Sequence, residues 1–124
     1  MGMKLLLPDT NILIYALANI KPFGDHLREW IQNKSLALSE IVVAEFLVHA
    51  KPEEETTFNA LFDAFGSLPV DTTIARIAAS YRKHHTTVRL PDCLIAATAK
   101  YHGTTLITFN RRDFPMTDIE IRSK

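Results

Sequence analysis

Cysteine occurs once in the 124 residues, at Cys93. A lone thiol forms no intrachain disulfide and no cysteine metal cluster, which excludes disulfide-stapled scaffolds and zinc ribbons and suits a reducing cytoplasm. A net charge is also missing: 14 Lys and Arg balance 14 Asp and Glu. The chain as a whole therefore gives no long-range field to attract a polyanion or a membrane surface. Glycine (4) and proline (6) are sparse and no repeat is present, which argues against disordered or fibrous classes. No apolar run approaches the roughly 20 residues of a membrane-spanning helix. The apolar stretch after Lys4 meets Asp9 too soon for a signal peptide. What is present is the length and hydrophobic content, 47%, of one domain spanning residues 1–124 around a single core.

Charge is unevenly distributed within the neutral total. Between Glu40 and Asp71 the acids Glu40, Glu45, Glu53, Glu54, Glu55, Asp63 and Asp71 face one base, Lys51. Between Thr72 and Arg112 the bases Arg76, Arg82, Lys83, Arg89, Lys100, Arg111 and Arg112 face one acid, Asp92. This asymmetry allows a basic surface for a phosphate backbone beside an acidic one, and solvated helix faces produce similar runs.

Periodicity predicts strands alternating with helices. Lys4 to Pro8 is a continuous apolar run that reads as a first, central strand buried on both faces. Thr10 and Asn11 offer helix-capping chemistry before Ile12 to Ala18, with Pro22 as the stop. Phe23 to Asn33 is amphipathic, with Leu27, Trp30 and Ile31 on one face. Leu36 to Leu38 reads as a short strand, and Ser39 caps a helix from Glu40 to Ala50. Pro52 opens the next helix, which Gly66 closes. Ser67 to Val70 is a weak strand, and Asp71 or Thr72 caps a helix whose Ile74, Ile77, Ala78 and Tyr81 share a face. Pro91 opens a helix to His102, Gly103 ends it, Thr105 to Thr108 is a strand, and Ile119 to Ile121 is a final one. Such alternation implies a central, mostly parallel sheet flanked by helices on both faces, with ligands bound beyond the carboxyl ends of its strands.

Four separated acids stand out against this frame. Asp9 and Asp113 fall just past predicted strands, while Glu45 and Asp92 interrupt apolar helical stretches. A carboxylate among aliphatics is costly unless its charge is compensated. Like charges gathered at one place also resist ionising together. A divalent cation answers both problems. Magnesium and manganese take hard carboxylate oxygens, retain waters and accept substrate phosphate oxygens. The chemistry such a site suggests is metal-assisted phosphodiester hydrolysis. Asn11, Ser39, Thr108 and Asn110, adjacent in sequence to the acids or their elements, suit hydrogen bonds that fix carboxylate orientation. Arg89, Arg111 and Arg112 suit substrate phosphates.

These residues resemble a known family. Pro8-Asp9-Thr10-Asn11-Ile12-Leu13-Ile14-Tyr15 resembles the opening motif of PIN-domain nucleases, and the stretch from Ser39 to Leu47 is similar to their second motif, which carries a glutamate. Leu90-Pro91-Asp92-Cys93-Leu94-Ile95-Ala96-Ala97 is similar to the third motif, and Leu106 to Phe114 to the closing one. The resemblance spans nearly the whole chain, and its length suits the VapC-like toxins of toxin-antitoxin modules. It implies a PIN-like α/β fold, magnesium- or manganese-dependent endoribonuclease activity on RNA, a homodimer, and a cognate antitoxin. Asp9, Glu45 and Asp92 match the family's core acids. The closing motif departs from the pattern: the position two residues after Thr108 is Asn110, and the acid stands at Asp113, which leaves open whether one metal or two bind.

Plainer roles compete at several positions. Asp9 suits a helix N-cap, Asp92 complements a helix dipole from the first turn, and Asn110 and Asp113 suit a turn. Glu40 competes with Glu45 but falls in a first turn, where an acid complements the dipole. His84 and His85 fall near a helix end. Phe58, Phe62 and Phe65 recur at helical spacing, as a core stripe or a subunit interface. A catalytically silent RNA- or protein-binding module is the alternative function. A haloacid-dehalogenase-like phosphatase would want a second Asp where Asn11 stands, and a receiver domain would want paired acids before the first strand.

Overall fold

In the computed structural model the described residues are 4–123. Met1 to Met3, on which the reading of the N-terminal segment partly rests, and Lys124 lie outside them. The order is β1 (Leu6–Pro8), α1 (Thr10–Leu17), α2 (Phe23–Gln32), α3 (Glu40–His49), α4 (Pro52–Phe65), α5 (Thr72–His84), α6 (Leu90–His102), β2 (Thr105–Thr108), a 3-10 turn (Arg111–Asp113) and β3 (Glu120–Ser123). None of these helices is long and apolar enough to cross a membrane.

The three strands are parallel in the order β1-β2-β3, with Leu7 opposite Leu106 and Leu106 opposite Ile121. All four residues of β2 are buried, as expected of a parallel strand covered on both faces. The Leu36–Leu38 and Ser67–Val70 candidates are not strands. Each contributes a single parallel bridge, Leu6 to Leu36 and Ser39 to Leu68. The first of these still makes β1 an interior strand: the Leu6 amide donates to the Ser35 carbonyl at 2.7 Å on one side, and the Thr105 amide donates to the Leu5 carbonyl at 2.9 Å on the other. The run from Lys4 is less buried than its composition suggests. Lys4 is exposed, Leu5 is 39% exposed, and only Leu7 and Pro8 are fully inside.

Local chemistry explains where helices start and stop. α1 ends at Leu17, well before Pro22, because Asn19 takes a positive φ of 58° that breaks the helical path. Pro22 instead precedes the first turn of α2. α6 starts at Leu90, one residue earlier than Pro91 suggests. Ser39 and Asp71 cap α3 and α5 by accepting from the amides of Ile41 and Ile74 at 3.1 and 2.9 Å. The interior gathers Leu7, Leu13, Phe46, Phe58, Ile74, Ile95 and Leu106. Of the phenylalanine stripe on α4, Phe58 stacks on Phe46 with centroids 5.0 Å apart, and only Phe62 faces outward, 39% exposed.

Gly66 ends α4 at φ 67°, ψ −163°, a conformation almost confined to glycine. An added Cβ there would meet nothing within 4 Å, so the obstacle to a side chain is the backbone alone. Gly66→Ala is expected to lower stability by roughly 1–2 kcal/mol. Denaturant unfolding with an unchanged midpoint would contradict this.

Candidate active site

The parallel register sets two strand ends side by side. Pro8 pairs with Ile107, and the Asp9 amide donates to the Ile107 carbonyl at 2.9 Å. Asp9 and Thr108 therefore leave the sheet as neighbours. Asp9, 7% exposed, is engaged at both carboxylate oxygens: Oδ1 accepts the Ile12 amide at 3.0 Å and Oδ2 accepts the Thr108 hydroxyl at 2.5 Å. The capping role and the site role thus coincide in one side chain, and capping belongs to Asp9 rather than to Thr10 or Asn11.

Asp9, Glu45, Asp92 and Asp113 all line one cleft of about 320 Å³, together with Thr10, Asn11, His49 and Arg89. α3 delivers Glu45 from its middle, α6 delivers Asp92 in its first turn, and the 3-10 turn after β2 delivers Asp113. Glu45 is held by the Thr10 hydroxyl on Oε1 at 2.6 Å and the Arg89 guanidinium on Oε2 at 3.0 Å. The fourth position is divided. Asp113 reaches the cleft, while the Asn110 side-chain amide donates to Asp113 Oδ2 at 2.8 Å and its backbone amide donates to Thr108 Oγ1 at 3.0 Å.

Electrostatics show the cost of this gathering. Burial pushes the Asp92 carboxyl up to about 6; Arg89 opposes the shift, and the charges of Asp113, Glu45 and Asp9 add to it. Burial also raises Asp9, against the hydrogen bonds of Thr108 and Ile12, with Asp113 and Glu45 again contributing. The charges of Glu45 and Asp113 thus make ionisation of Asp9 and Asp92 harder, which is the condition a bound cation relieves.

The other expected residues separate. Asn11 and Arg89 line the cleft, and Arg112 lies with Arg89, Asp92 and Asp113 on an adjoining depression. Ser39 is not placed there: its hydroxyl is spent on capping α3 and is fully buried. Arg111 turns away, donating to the Ile121 carbonyl at 3.3 Å. Sequence reasoning overlooked Thr10 and His49 as cleft residues. Thr10 sits between two motif residues, and His49 lies four residues, one helical turn, after Glu45; both signals were there to read.

The carboxylates fit a hard divalent cation in donor chemistry. Among the described residues no three His, Cys, Asp or Glu side chains converge on a single point, so the cleft is no closed protein cage. Magnesium keeps several waters and commonly takes one or two carboxylates with substrate phosphates completing its shell, and an open acidic cleft suits that mode.

Residues 6–120 match the family described as PIN domain. The chain is 37% identical over 119 residues to Ribonuclease VapC19 of Mycobacterium tuberculosis, covering 92% of this chain and 94% of that protein. Its structure is similar to a toxin-antitoxin complex from Klebsiella pneumoniae, at 31% identity and TM-score 0.75 over 94% of this chain and 99% of that one. A DNA-bound VapBC from Salmonella typhimurium shares the fold, with TM-score 0.80 at 24% identity and 98% of each chain covered.

Proposed function

The chain belongs to the PIN-domain family, and from that premise we propose that it is a magnesium- or manganese-dependent endoribonuclease, the toxin of a toxin-antitoxin pair. The observation that carries the reading is the meeting of Asp9, Glu45, Asp92 and Asp113 in one cleft from four separate elements. The resemblance to a protein named ribonuclease supplies RNA as the substrate.

Asp9 and Asp92 are the residues suited to hold the metal, with Glu45 and Asp113 beside them. Bound there, such an ion supplies neutralisation of phosphodiester charge and a more acidic water. The chain's own residues do the rest. Thr108 and the Ile12 amide hold the Asp9 carboxylate in one orientation, and Thr10 does the same for Glu45. Asn110 steadies Asp113. Arg89 lies on the cleft as a phosphate-binding cation, paired with Glu45 until a substrate competes for it. Arg112 offers a second positive charge on the adjoining depression.

The antitoxin reading draws on the complexes to which the structure is similar. It also draws on an apolar groove of about 430 Å³ lined by Leu17, Leu27, Ile31, Leu61 and Phe65, a surface a protein partner can use. A homodimer and a cytoplasmic location complete the proposal; a single, fully buried, free Cys93 accords with the latter.

Incubation with a panel of RNAs tests the activity. Cleavage is expected with magnesium or manganese, to vanish in excess EDTA and to return when the metal is restored. Undiminished cleavage in EDTA would remove the metal from the proposal. Salt-dependent RNA binding with no product at any metal concentration would favour the silent binding module instead.

A further inference from the structure

Three aromatic rings meet next to segments that build the acidic cleft, and two of them stand outside the core. Tyr15 and Phe109 stack with centroids 5.5 Å apart and planes inclined by only 15°, and Phe23 leans on both at 5.6 and 5.7 Å. Phe23 packs against the buried cluster, whereas Tyr15 and Phe109 are absent from it. Phe109 is 40% exposed. An apolar ring left half in water, backed by a parallel ring, is a flat face already assembled.

Its position ties it to the site. Phe109 directly follows Thr108, whose hydroxyl holds Asp9, and precedes Asn110, whose amide holds Asp113. Phe109 lies one residue past the end of β2 and is not among the residues that line the carboxylate cleft, so the ring flanks that cleft rather than filling it. Tyr15 lies one helical turn after Asn11, which lines the cleft. A strand of nucleic acid with one phosphate at the carboxylates would carry a neighbouring base to this flank.

We infer that Phe109, backed by Tyr15, is a stacking platform for one unpaired nucleobase adjacent to the scissile phosphate. The inference rests on the ribonuclease reading and deepens it by assigning this ring pair to the contact with an unpaired base, because a base held in a duplex cannot present its face to the ring. Stacking tolerates all four bases, since each has a π-face. The platform therefore sets strandedness and position of cleavage more than sequence.

The test compares wild type with Phe109→Leu, which keeps apolar bulk without a π-face, and with Phe109→Tyr, which keeps stacking. The RNA is a single-stranded oligonucleotide cut by the wild type, intact or with an abasic site beside the cleaved bond. Phe109→Leu is expected to raise KM about ten-fold with kcat changed far less, and Phe109→Tyr to restore it. On abasic RNA the two proteins should differ little, because the base that stacks is already gone. Equal KM for wild type and Phe109→Leu, or a ten-fold difference that persists on abasic RNA, would overturn the platform while leaving the nuclease intact. Should no RNA be cut at all, the nuclease reading fails. The platform is then judged by quenching of 2-aminopurine in the same oligonucleotide, which Phe109→Leu must abolish if the inference is to stand.

Discussion

Replacing Asp92 by Asn is expected to reduce RNA cleavage by at least ~10²-fold while making the metal-free protein more stable at neutral pH. The two effects have one origin. Asp92 ionises in a half-buried place beside three other carboxylates, and its carboxyl is pushed from the ordinary 3.8 up to about 6. A carboxyl whose folded-state pKa lies above its unfolded value favours folding below the unfolded value, and this contribution is lost as pH rises through about 6. At pH 7 the ionised side chain therefore destabilises the metal-free fold. The shift corresponds to a ceiling of ~3 kcal/mol, which solvent screening at a partly exposed group reduces to about 1–2 kcal/mol. The negative charge in the first turn of α6 opposes this by ~0.3–1 kcal/mol through the helix dipole. A net gain of about 1 kcal/mol for Asp92→Asn remains.

Chemical denaturation in EDTA at pH 7 and pH 4 measures it. The gain should be present at pH 7 and shrink toward nothing at pH 4, where wild-type Asp92 is largely protonated. A variant less stable than wild type at pH 7, or a gain indifferent to pH, would show that the carboxylate is a structural ion rather than a strained ligand. An acid that improves stability when neutralised yet is needed for activity is one retained for function.

The second large effect is expected at Thr108. Its buried hydroxyl donates to Asp9 Oδ2 and accepts from the Asn110 amide. Thr108→Val keeps the shape and removes both bonds at once. The loss of a charge-assisted hydrogen bond to a buried carboxylate, with a backbone amide also left without its acceptor, is expected to cost about 2–3 kcal/mol at pH 8. Thr108 lowers the Asp9 pKa in the wild type. Its removal raises that pKa further, and the penalty should therefore lessen as pH falls and Asp9 takes up a proton. Metal affinity should drop about 10- to 100-fold, because Asp9 loses the bond that sets its orientation. Thr108→Ser, which retains the hydroxyl, should recover most of both effects. Urea unfolding at pH 5 and pH 8, with titration calorimetry of manganese, follows the two consequences. A Val variant that binds manganese as the wild type does would remove Thr108 from the positioning of the site.

The acids were legible in sequence because they violate local rules. Glu45 and Asp92 stand in aliphatic stretches, and such a breach of pattern points to a functional position. Helices were legible wherever caps marked their ends: Ser39, Asp71, Gly66 and Gly103 each stand at a boundary of the fold. Strands were less so. Leu36 to Leu38 and Ser67 to Val70 have strand composition, but a short parallel strand exists only through its neighbour, and here each finds one bridging partner. Composition alone also misjudged Leu5, because an apolar residue at the start of a strand can still face water.

From the sequence alone came the set of acids, the α/β class with a parallel sheet, and the expectation that strand ends would gather the site. The tertiary structure decided which hydroxyl holds which carboxylate. It joined Thr108 to Asp9 across 99 positions and Thr10 to Glu45 across 35. It brought Asp113 rather than Asn110 to the cleft, withdrew Ser39 and Arg111 from it, and stacked Tyr15 on Phe109. The physical reason is range. Capping and periodicity act within a turn or a strand and are written locally. Hydrogen bonds of 2.5 to 3.0 Å between distant residues depend on the parallel register of β1 and β2 and on the packing that sets α3 and α6 beside them.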